Sequence, residues 1–484
     1  MTGGAMNLTA RHYHFIGIGG IGMSGLAELL VRQGYTVSGS DLAANALTHK
    51  LQRLGVQVFQ GHAPENISGC ELVVISSAIS LNNPELQAAQ AYGLPIFSRA
   101  QMLAALMGNK KRIAVAGTHG KTTTTTMVAA VLQQGGLDPS VMVGGVVDTL
   151  GSNAVWGHGQ VFVAEADESD GSFLVYSPHV AVVTNIDRDH LDHYRDLQHI
   201  QEVFQTFIKR IQPDGILVAC ADDPHLRAIL NGGPPKLITY GLQEAGDYQA
   251  ADIKINSLGS TYTLLQRHQA LGQIYLPLAG QHYVNNSLAA AAVGFALGLS
   301  FTDIQAGLAQ TGKIKRRFEL KGEAQGITVI DDYGHHPTEI RVTLAAMAQA
   351  YAGRRLIVAF QPHRYSRTQA LLEDFFPIFV DADILYLTDI YGAGEPAIPG
   401  LSGHDLFRGV KEAGHPAVAY VADRRDLREI LFNQLRAGDV VVTMGAGDIW
   451  RTGEELLQLL QSRPLAGTPC FGPYAVPVAE TCQP

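Results

Sequence analysis

Short runs of apolar and β-branched residues recur along most of the chain, and each run is followed by glycine or polar residues and then by a longer mixed segment. The stretch 14–41 has the pattern of strand, glycine turn, helix and strand, and apolar runs at 73–76 and 95–98 continue it. This alternation predicts a parallel sheet with helices on both faces. We expect a Rossmann-like domain over residues 1–108.

The alternation restarts at residue 111, where an apolar run leads through a turn into a threonine-rich segment closed by glycine. Apolar runs at 161–166 and 180–186 and a helical segment at 285–299 extend it, which predicts a central P-loop ATPase-like domain over 109–318. The basic stretch 313–321 is interpreted as a linker. Four later strand-and-turn units predict a C-terminal Rossmann-like domain over 319–463. Residues 464–484 contain five prolines and predict a disordered tail.

Composition narrows the class of protein. Of 484 residues 46% are hydrophobic and only 16% are charged, against a usual charged share of about 25%, so the bulk of the chain is a folded globular protein. The net charge of −9 gives no general attraction to nucleic acid or to anionic membranes. The four cysteines form no CxxC pair, and the longest apolar stretch, 288–301, is shorter than the roughly 20 residues that span a bilayer. We expect a cytoplasmic protein without nucleic-acid or membrane partners.

The first glycine loop has the dinucleotide-binding pattern. Gly17, Gly19 and Gly22 form GxGxxG after a strand, and Asp41 ends the next strand about 20 residues later. Such a loop lets backbone N–H groups approach a diphosphate, and the acid can bind a ribose. The pattern leaves open NAD, a nucleotide sugar, or a tight turn with a structural role only.

The second glycine loop resembles a shortened P-loop. It lies between strand and helix and carries a Lys-Thr pair, but Val115 stands where the usual pattern has its first glycine. Its amides can cradle phosphate, Lys121 can neutralise phosphate oxygens and Thr122 can bind Mg²⁺. The alternative, which this pattern disfavours, is a threonine-rich helix start that binds no phosphate. Two such loops imply two phosphate-bearing ligands, which argues against a dehydrogenase.

Acidic residues follow the next strands. Glu165 ends a strand and opens a segment with four acids in six residues, and His190 follows the strand after it. A solvated acidic turn would explain such a cluster, but its position at the carboxyl edge of a sheet favours metal binding beside a nucleotide.

Eight ordered motifs carry a resemblance to one family. They are GIGGIGMSG (17–25), GTHGKTTTT (117–125), EADESDGSF (165–173), TNIDRDHLDHY (184–194), RRFE (316–319), DDYGHHPTEI (331–340), QPHRYSRT (361–368) and MGAGDI (444–449). With these motifs the chain resembles the Mur ligase family over nearly its full length. The resemblance implies that the first domain binds a UDP-sugar, the central domain ATP and the third an amino acid.

The resemblance also implies site residues. For the UDP-sugar these are Gly17, Gly19, Gly20, Gly22, Met23, Ser24, Asp41, Ser76 and Ser77. For ATP they are Gly117, Thr118, His119, Gly120, Lys121, Thr122, Thr123, His282, Asn286, Arg317 and Asp332, and for the metal Thr122, Glu165 and His190. For the amino acid and acyl phosphate they are Tyr333, His335, His363, Arg364 and Arg367, and the catalytic group is Lys121, His190, His335 and His336. Tyr283 stands where the family pattern has an asparagine.

The implied reaction joins L-alanine to the lactyl carboxylate of UDP-N-acetylmuramate through an acyl phosphate, with ATP and Mg²⁺, in peptidoglycan precursor synthesis. The neighbouring possibility is a ligase that attaches a recycled tripeptide to the same sugar. Two alternative functions belong to other classes of protein. An NAD-dependent oxidoreductase would leave the second glycine loop unused, which argues against it. A non-catalytic nucleotide-sensing module would leave Lys121, Glu165 and His190 without a role, which argues against it as well. Either a monomer or a homodimer is expected.

Overall fold

The computed structural model describes residues 10–147, 152–230, 236–312 and 314–465. Three separate sheets of five, ten and six strands follow one another along the chain, and helices connect most of their parallel strands. The expected fold class, three consecutive α/β domains, is confirmed. No helix among the described residues is long and apolar enough to cross a membrane. The tail expected to be disordered lies, from residue 466 onward, outside the described residues.

The first sheet is entirely parallel. Its strands are β1 (His12–Ile16), β2 (Thr36–Asp41), β3 (Gln57–Gln60), β4 (Leu72–Ile75) and β5 (Ile96–Ser98). Its helices are α1 (Ile21–Arg32), α2 (Ala46–Arg53), α3 (Pro84–Ala91) and α4 (Arg99–Met107). The strand order β3-β2-β1-β4-β5 places the chain reversal at β1 and β4. Ligands of open α/β sheets bind at the carboxyl end of such a switch point.

The second sheet has the order β15-β14-β13-β12-β11-β10-β6-β9-β7-β8. Its strands are β6 (Lys111–Ala116), β7 (Ser140–Val147), β8 (Ser152–Val155), β9 (Val161–Glu165), β10 (Val180–Val183), β11 (Ile216–Cys220), β12 (Leu237–Gly241), β13 (Tyr248–Asn256), β14 (Gly259–Gln266) and β15 (Gln269–Leu276). Its helices are α5 (Lys121–Gln134), α6 (Leu197–Ile208), α7 (Pro224–Ile229), α8 (Gln281–Ala296) and α9 (Phe301–Ala309).

Two features of the second sheet differ from the sequence analysis. Strands β13, β14 and β15 form an antiparallel meander at one edge, which the pattern of parallel units did not predict. Helix α8 begins at Gln281, four residues before the expected start at residue 285, and Gly280, with a φ of +145° that favours glycine, precedes it as N-cap. The earlier start places His282 and Tyr283 within the first turn of α8.

The third sheet has the order β16-β17-β21-β18-β19-β20. Its strands are β16 (Glu319–Ala324), β17 (Ile327–Asp332), β18 (Leu356–Phe360), β19 (Ile384–Leu387), β20 (Val418–Tyr420) and β21 (Val440–Met444), and only β16 is antiparallel to its neighbour. Its helices are α10 (Pro337–Ala350), α11 (Tyr365–Ala370), α12 (Gly403–Glu412), α13 (Arg424–Gln434) and α14 (Trp450–Ser462). The interpretation of residues 313–321 as a linker is wrong for their last three residues, which open the edge strand β16.

The hydrophobic core distinguishes the first two sheets from the third. One continuous cluster of buried residues runs from the first sheet through the second, whereas the third sheet has its own clusters on its two faces. Helix α1 packs on β8 of the second sheet, and the buried Glu28 of α1 binds Lys50 and Ser152, each at 2.8–2.9 Å. The first two domains therefore share a core, whereas the third domain has its own, and Phe318 packs against both.

Replacing Gly307 with alanine tests how closely α9 packs on α5, the helix that begins at the second glycine loop. A Cβ at position 307 would lie 2.5 Å from Val131 Cα and 3.0 Å from Ala130 O. Because both atoms belong to the backbone of α5, we expect the free energy of unfolding to fall by about 1–3 kcal/mol, despite alanine's higher helix propensity. Urea denaturation followed by circular dichroism measures it. Thr302→Ala, at an exposed position of α9, is the matched control and should change stability by less than about 0.5 kcal/mol; equal effects of the two variants would contradict the packing argument.

Candidate active site

The carboxyl end of β6 lies between those of β9 and β10, so the second glycine loop, Glu165 and Thr184 meet at one edge of the sheet. Gly117 allows this approach. Its φ is +131°, and a Cβ at this position would lie 2.0 Å from Thr184 Oγ1. The loop backbone is also bound to the chain after β10, because Thr118 N donates to Asn185 O at 3.1 Å. The sheet order thus brings the predicted phosphate loop and the acidic segments together.

Lys121 lies at the centre of this edge. Its Nζ donates to Glu168 Oε1 at 2.8 Å and to the carbonyl oxygens of Gly117 and Thr118 at 2.8 and 3.1 Å. Burial opposes the charge, but the nearby carboxylates outweigh burial and hold the pKa of Lys121 above its usual range. The lysine is therefore a fixed cation inside its own loop.

The three expected metal ligands are arranged around this lysine. Glu165 Oε2 accepts hydrogen bonds from Thr122 Oγ1 at 2.9 Å and from Gly144 N at 2.7 Å. His190 has a φ of +53°, and its Nε2 lies 3.9 Å from Glu168 Oε1. In the part of the chain that the structure describes, the buried Glu168 Oε2 has no hydrogen-bond partner. Hydroxyl and carboxylate oxygens are ligands that suit Mg²⁺, so the oxygen donors of Thr122 and Glu165 fit this ion.

A cleft of about 750 Å³ opens above these groups. It is bounded by all three domains, since Ile21, beside the first glycine loop, contributes as well as the second and third sheets. Eleven of the residues expected from the sequence line it: Thr118, Lys121, Thr122, Glu165, His190, Arg317, Tyr333, His335, His363, Arg364 and Arg367. The side chain of Thr123, by contrast, is buried in α5.

The third domain meets the cleft through charged pairs. Arg367 binds Asp189 with Nε–Oδ1 at 3.1 Å, and each side chain is only 8% exposed. Arg364 bridges Asp192 at 3.2 Å and Glu395 at 3.1 Å. Burial lowers the pKa of His335 to about 4 and that of His363 to about 3. Both imidazoles are therefore neutral at pH 7.

A smaller cavity of about 250 Å³ adjoins the cleft on the other side of these pairs. Asp189, His190, Arg364 and Arg367 line both spaces, and Ala370, Leu371 and Ile398 add apolar surface to the smaller one. The combination of cationic, anionic and small apolar groups suits a zwitterion with a short side chain.

His119 and His336 lie outside the cleft, at the seam between the second and third domains. The His119 ring lies between Asp187, 3.0 Å from Nε2, and Glu339, 3.3 Å from Nδ1. His336 packs against it with ring centroids 4.6 Å apart, and its Nε2 is 3.0 Å from Arg188 O. Both imidazoles are thus engaged by protein groups, and neither lines the cleft. Of the expected histidine pair, only His335 faces the cleft.

Further residues expected for ATP lie at or near the start of α8. Asn286 is buried against the phosphate loop, where its Oδ1 lies 2.9 Å from a Cβ position built on Gly120. His282 and Tyr283 are in contact, with ring centroids 3.9 Å apart, and burial lowers the pKa of His282 to about 4. Asp332, at the end of β17, accepts from the backbone N–H groups of Phe318 and Gly334, both at 2.8 Å.

The residues expected for the UDP-sugar lie together at the switch point of the first sheet. Gly17, Gly19 and Gly20 form the turn between β1 and α1, Gly22, Met23 and Ser24 lie in the first turn of α1, and Ser76 and Ser77 follow β4. Asp41 ends β2, and its Oδ2 accepts from Gly19 N at 2.8 Å. The Asp41 carboxylate therefore braces the glycine loop, in addition to any contact with a ribose.

The sequence analysis missed four groups that organise the site. Arg99 of α4 lies against Gly22 and approaches Asp167 at 3.5 Å, which connects the first domain to the acidic segment. Across the seam, Asp189 pairs with Arg367 and Glu339 pairs with His119, while Arg316 binds Asp331 at 3.1 Å. A signal existed for three of them, because Asp189, Arg316 and Glu339 lie inside motifs already singled out. Nothing in the local sequence around Arg99 marks it.

Three family models match consecutive parts of the chain. The Mur ligase family catalytic domain matches residues 12–111, the Mur ligase middle domain matches 115–294, and the Mur ligase glutamate ligase domain matches 316–447.

Curated relatives match over nearly the full length. The chain is 49% identical over 449 residues to the UDP-N-acetylmuramate--L-alanine ligase of Geobacter sp. (strain M21), covering 93% of this chain and 97% of the relative. It is 47% identical to the enzyme of that name from Myxococcus xanthus, covering 94% and 97%. Among solved structures, UDP-N-acetylmuramate-alanine ligase MurC from Thermotoga maritima superposes with a TM-score of 0.79 at 29% identity, covering 93% and 99%. A murein peptide ligase from Psychrobacter arcticus gives 0.67 at 27%, covering 93% and 98%.

The position of His119 between two carboxylates predicts an unusual titration. Burial disfavours the imidazolium, but the hydrogen bonds to Asp187 and Glu339 outweigh burial and raise the pKa of His119 to about 9. Because the folded pKa is raised, the stability gained is fully present below the unfolded value of about 6.5 and is lost as pH rises through about 9. In ¹⁵N-histidine NMR, the resonance missing from His119→Gln should stay cationic beyond pH 8. Glu339→Gln should lower its midpoint, and a midpoint near 6.5 in the unmodified protein would contradict the assignment.

Proposed function

The chain belongs to the Mur ligase family, and from this premise we propose that it joins L-alanine to the lactyl carboxylate of UDP-N-acetylmuramate, converting ATP to ADP and phosphate. The observation that carries the proposal is the single cleft that holds Lys121, Thr122, Glu165 and His190 of the central domain opposite arginines of the third. Relatives of that activity, 47–49% identical over nearly the whole chain, support it. The reaction supplies peptidoglycan precursors, and we place it in the cytoplasm.

The first step of the proposed reaction is activation of the lactyl carboxylate. An oxide ion is too poor a leaving group for an amine to displace, so the γ-phosphoryl group of ATP transfers first to the lactyl carboxylate. Lys121 holds its charge beside the transferring group and stabilises the negative charge on the phosphoryl oxygens. The bond from the γ-phosphorus to the bridging oxygen of ADP breaks as the bond to the carboxylate oxygen forms.

Thr122, Glu165 and His190 are the residues we propose to hold Mg²⁺. The ion supplies further neutralisation of phosphate charge when it is bound. Glu168, whose Oε1 accepts from Lys121, has no hydrogen-bond partner for Oε2 among the described residues, and this oxygen is a further acceptor near the proposed Mg²⁺ site.

We assign the acceptor amino acid to the third-domain side of the cleft. The guanidinium groups of Arg364 and Arg367 suit an α-carboxylate or a phosphoryl oxygen, and the adjoining 250 Å³ cavity accommodates a short side chain. His335 lines the cleft as a neutral imidazole and can accept a proton from the α-ammonium group before or as the amine attacks. The tetrahedral intermediate then collapses to the amide and releases phosphate.

The dinucleotide-type loop of the first domain is the proposed binding site of the UDP-sugar, with its diphosphate at Gly17–Gly22 and the start of α1. We propose residues 1–108, 109–318 and 319–463 as the sugar, ATP and amino-acid domains. Ile21 lines the cleft, so a substituent of a sugar bound at this loop can extend toward Lys121.

Phosphate release identifies the acceptor. With ATP, Mg²⁺ and UDP-N-acetylmuramate present, we expect release to require L-alanine, to be weaker with glycine or L-serine, and to be absent without the sugar. Release that depends only on an Ala-Glu-diaminopimelate tripeptide would instead assign the recycling reaction, consistent with the structural similarity to a murein peptide ligase. If none of these acceptors supported phosphate release, the result would contradict ligase function.

Replacing Lys121 with methionine should lower kcat by about 100-fold or more, because the cation beside the transferring phosphoryl group is lost. Removing one partner of a buried ion pair also destabilises a protein, so Lys121→Met combined with Glu168→Gln separates the two effects. Lys209→Ala, at an exposed lysine of the same domain, is the matched control and should retain the full rate. Steady-state ligation kinetics measure all three. Full activity in the double variant would refute the role of Lys121.

A further inference from the structure

A network of hydrogen bonds connects the phosphate loop with the start of α10 across the seam between the second and third domains. Thr338 Oγ1 donates to Asp187 Oδ2 at 2.6 Å, and the same carboxylate oxygen lies 3.0 Å from His119 Nε2. Glu339, next to Thr338, engages the other nitrogen of that ring. Two adjacent residues of the third domain thus reach one residue of the phosphate loop, one directly and one through Asp187.

His119 is fixed through its backbone as well as its ring. Its N–H donates to Asn185 Oδ1 at 2.8 Å, and its carbonyl oxygen accepts from Thr184 Oγ1 at 2.6 Å and from Asn185 Nδ2 at 3.0 Å. The contacts from residues 184 and 185 belong to the central domain and persist wherever the third domain lies. Only Thr338, Glu339 and the His336 ring depend on docking of the third domain.

The same groups also have the composition of a metal site, since His119, Asp187 and His336 bring donor atoms within 4.8 Å of one another. These atoms are already satisfied by protein partners. Asp187 Oδ2 accepts from Thr338 and His119, and His336 Nδ1 accepts from Thr338 N at 3.2 Å as the cap of α10. The geometry therefore favours a hydrogen-bond network between domains over a cation site.

The conformation of residue 119 matters to the reaction because of what Lys121 binds. Lys121 donates to the carbonyl groups of residues 117 and 118. The backbone conformation of the loop therefore determines the position of the ammonium group. Holding His119 in place therefore holds Lys121 in place.

Resting on the proposed ligase function, we propose that Thr338 is a positioning residue: its hydroxyl transmits docking of the third domain through Asp187 and His119 to the phosphate loop, and so completes the positioning of Lys121 that the central-domain contacts begin. This gives the loop its productive shape at the moment when water is excluded from the acyl phosphate. Thr338 itself does not line the cleft.

The test compares three side chains at position 338. Thr338→Val keeps the shape and removes the hydroxyl, whereas Thr338→Ser keeps the hydroxyl. We expect Thr338→Val to lower kcat by about tenfold, as loss of a hydrogen bond to a charged group does, and to raise the phosphate released per amide formed above one. Thr338→Ser should behave like the unmodified enzyme on both measures. Arg341→Gln, at an exposed position of α10, is the control.

A second readout needs no turnover. Hydrogen exchange of the peptide that covers residues 117–121 should be faster in Thr338→Val than in the unmodified protein or in Thr338→Ser. Unchanged exchange and kcat in Thr338→Val, or equal impairment in Thr338→Ser, would overturn the proposal. If Thr338→Val does not fold, Thr338→Ala replaces it. Absence of ligation by the unmodified enzyme would reject the proposed function, whereas the exchange comparison judges the role of Thr338 independently.

Discussion

The buried ammonium group of Lys121 is the charge around which the cleft is arranged. Removing such a cation from water is costly unless carboxylates compensate it, and the segment after β9 supplies them. These carboxylates and Glu165 repel one another, and two of them have further partners: Glu165 accepts from Thr122 and Gly144, and Asp167 approaches Arg99. The carboxylates that compensate the charge of Lys121 therefore connect the phosphate loop and the acidic segment with the first domain.

The third domain is connected by the same kind of charge balance, across its seam with the central domain. Asp189 and Arg367 are both nearly buried when paired, and His119 lies between carboxylates of two domains. Surface ion pairs contribute little, whereas breaking a buried pair leaves an uncompensated charge. Each of these pairs forms only when the domains dock, so assembly of the site and exclusion of water are one event.

Much of this arrangement could be predicted from the sequence, because strand, glycine turn and helix follow one another locally and the ligating residue types lie directly after strands. Thr122, Glu165 and His190 were located in this way. Contacts that depend on distant segments could not be predicted. His119 was expected to bind ATP, but its ring meets Glu339, 220 residues away along the chain. The antiparallel meander β13–β15 was missed because its strands alternate polar and apolar residues at a sheet edge instead of forming continuous apolar runs.

The unusual residue of the phosphate loop has a structural explanation. Val115, where a standard P-loop has glycine, is still part of β6: it is fully buried, and its carbonyl oxygen accepts from Ala166 N at 2.8 Å. The strand therefore continues into what is loop in the standard motif, and fewer residues remain to curl around phosphate. Contacts from outside replace the missing length: Asn185 binds residues 118 and 119, Asn286 packs on Gly120, and Glu339 reaches His119. A loop braced in this way takes its shape from neighbouring segments of the central domain as well as from its own sequence, and Glu339 of the third domain adds to them.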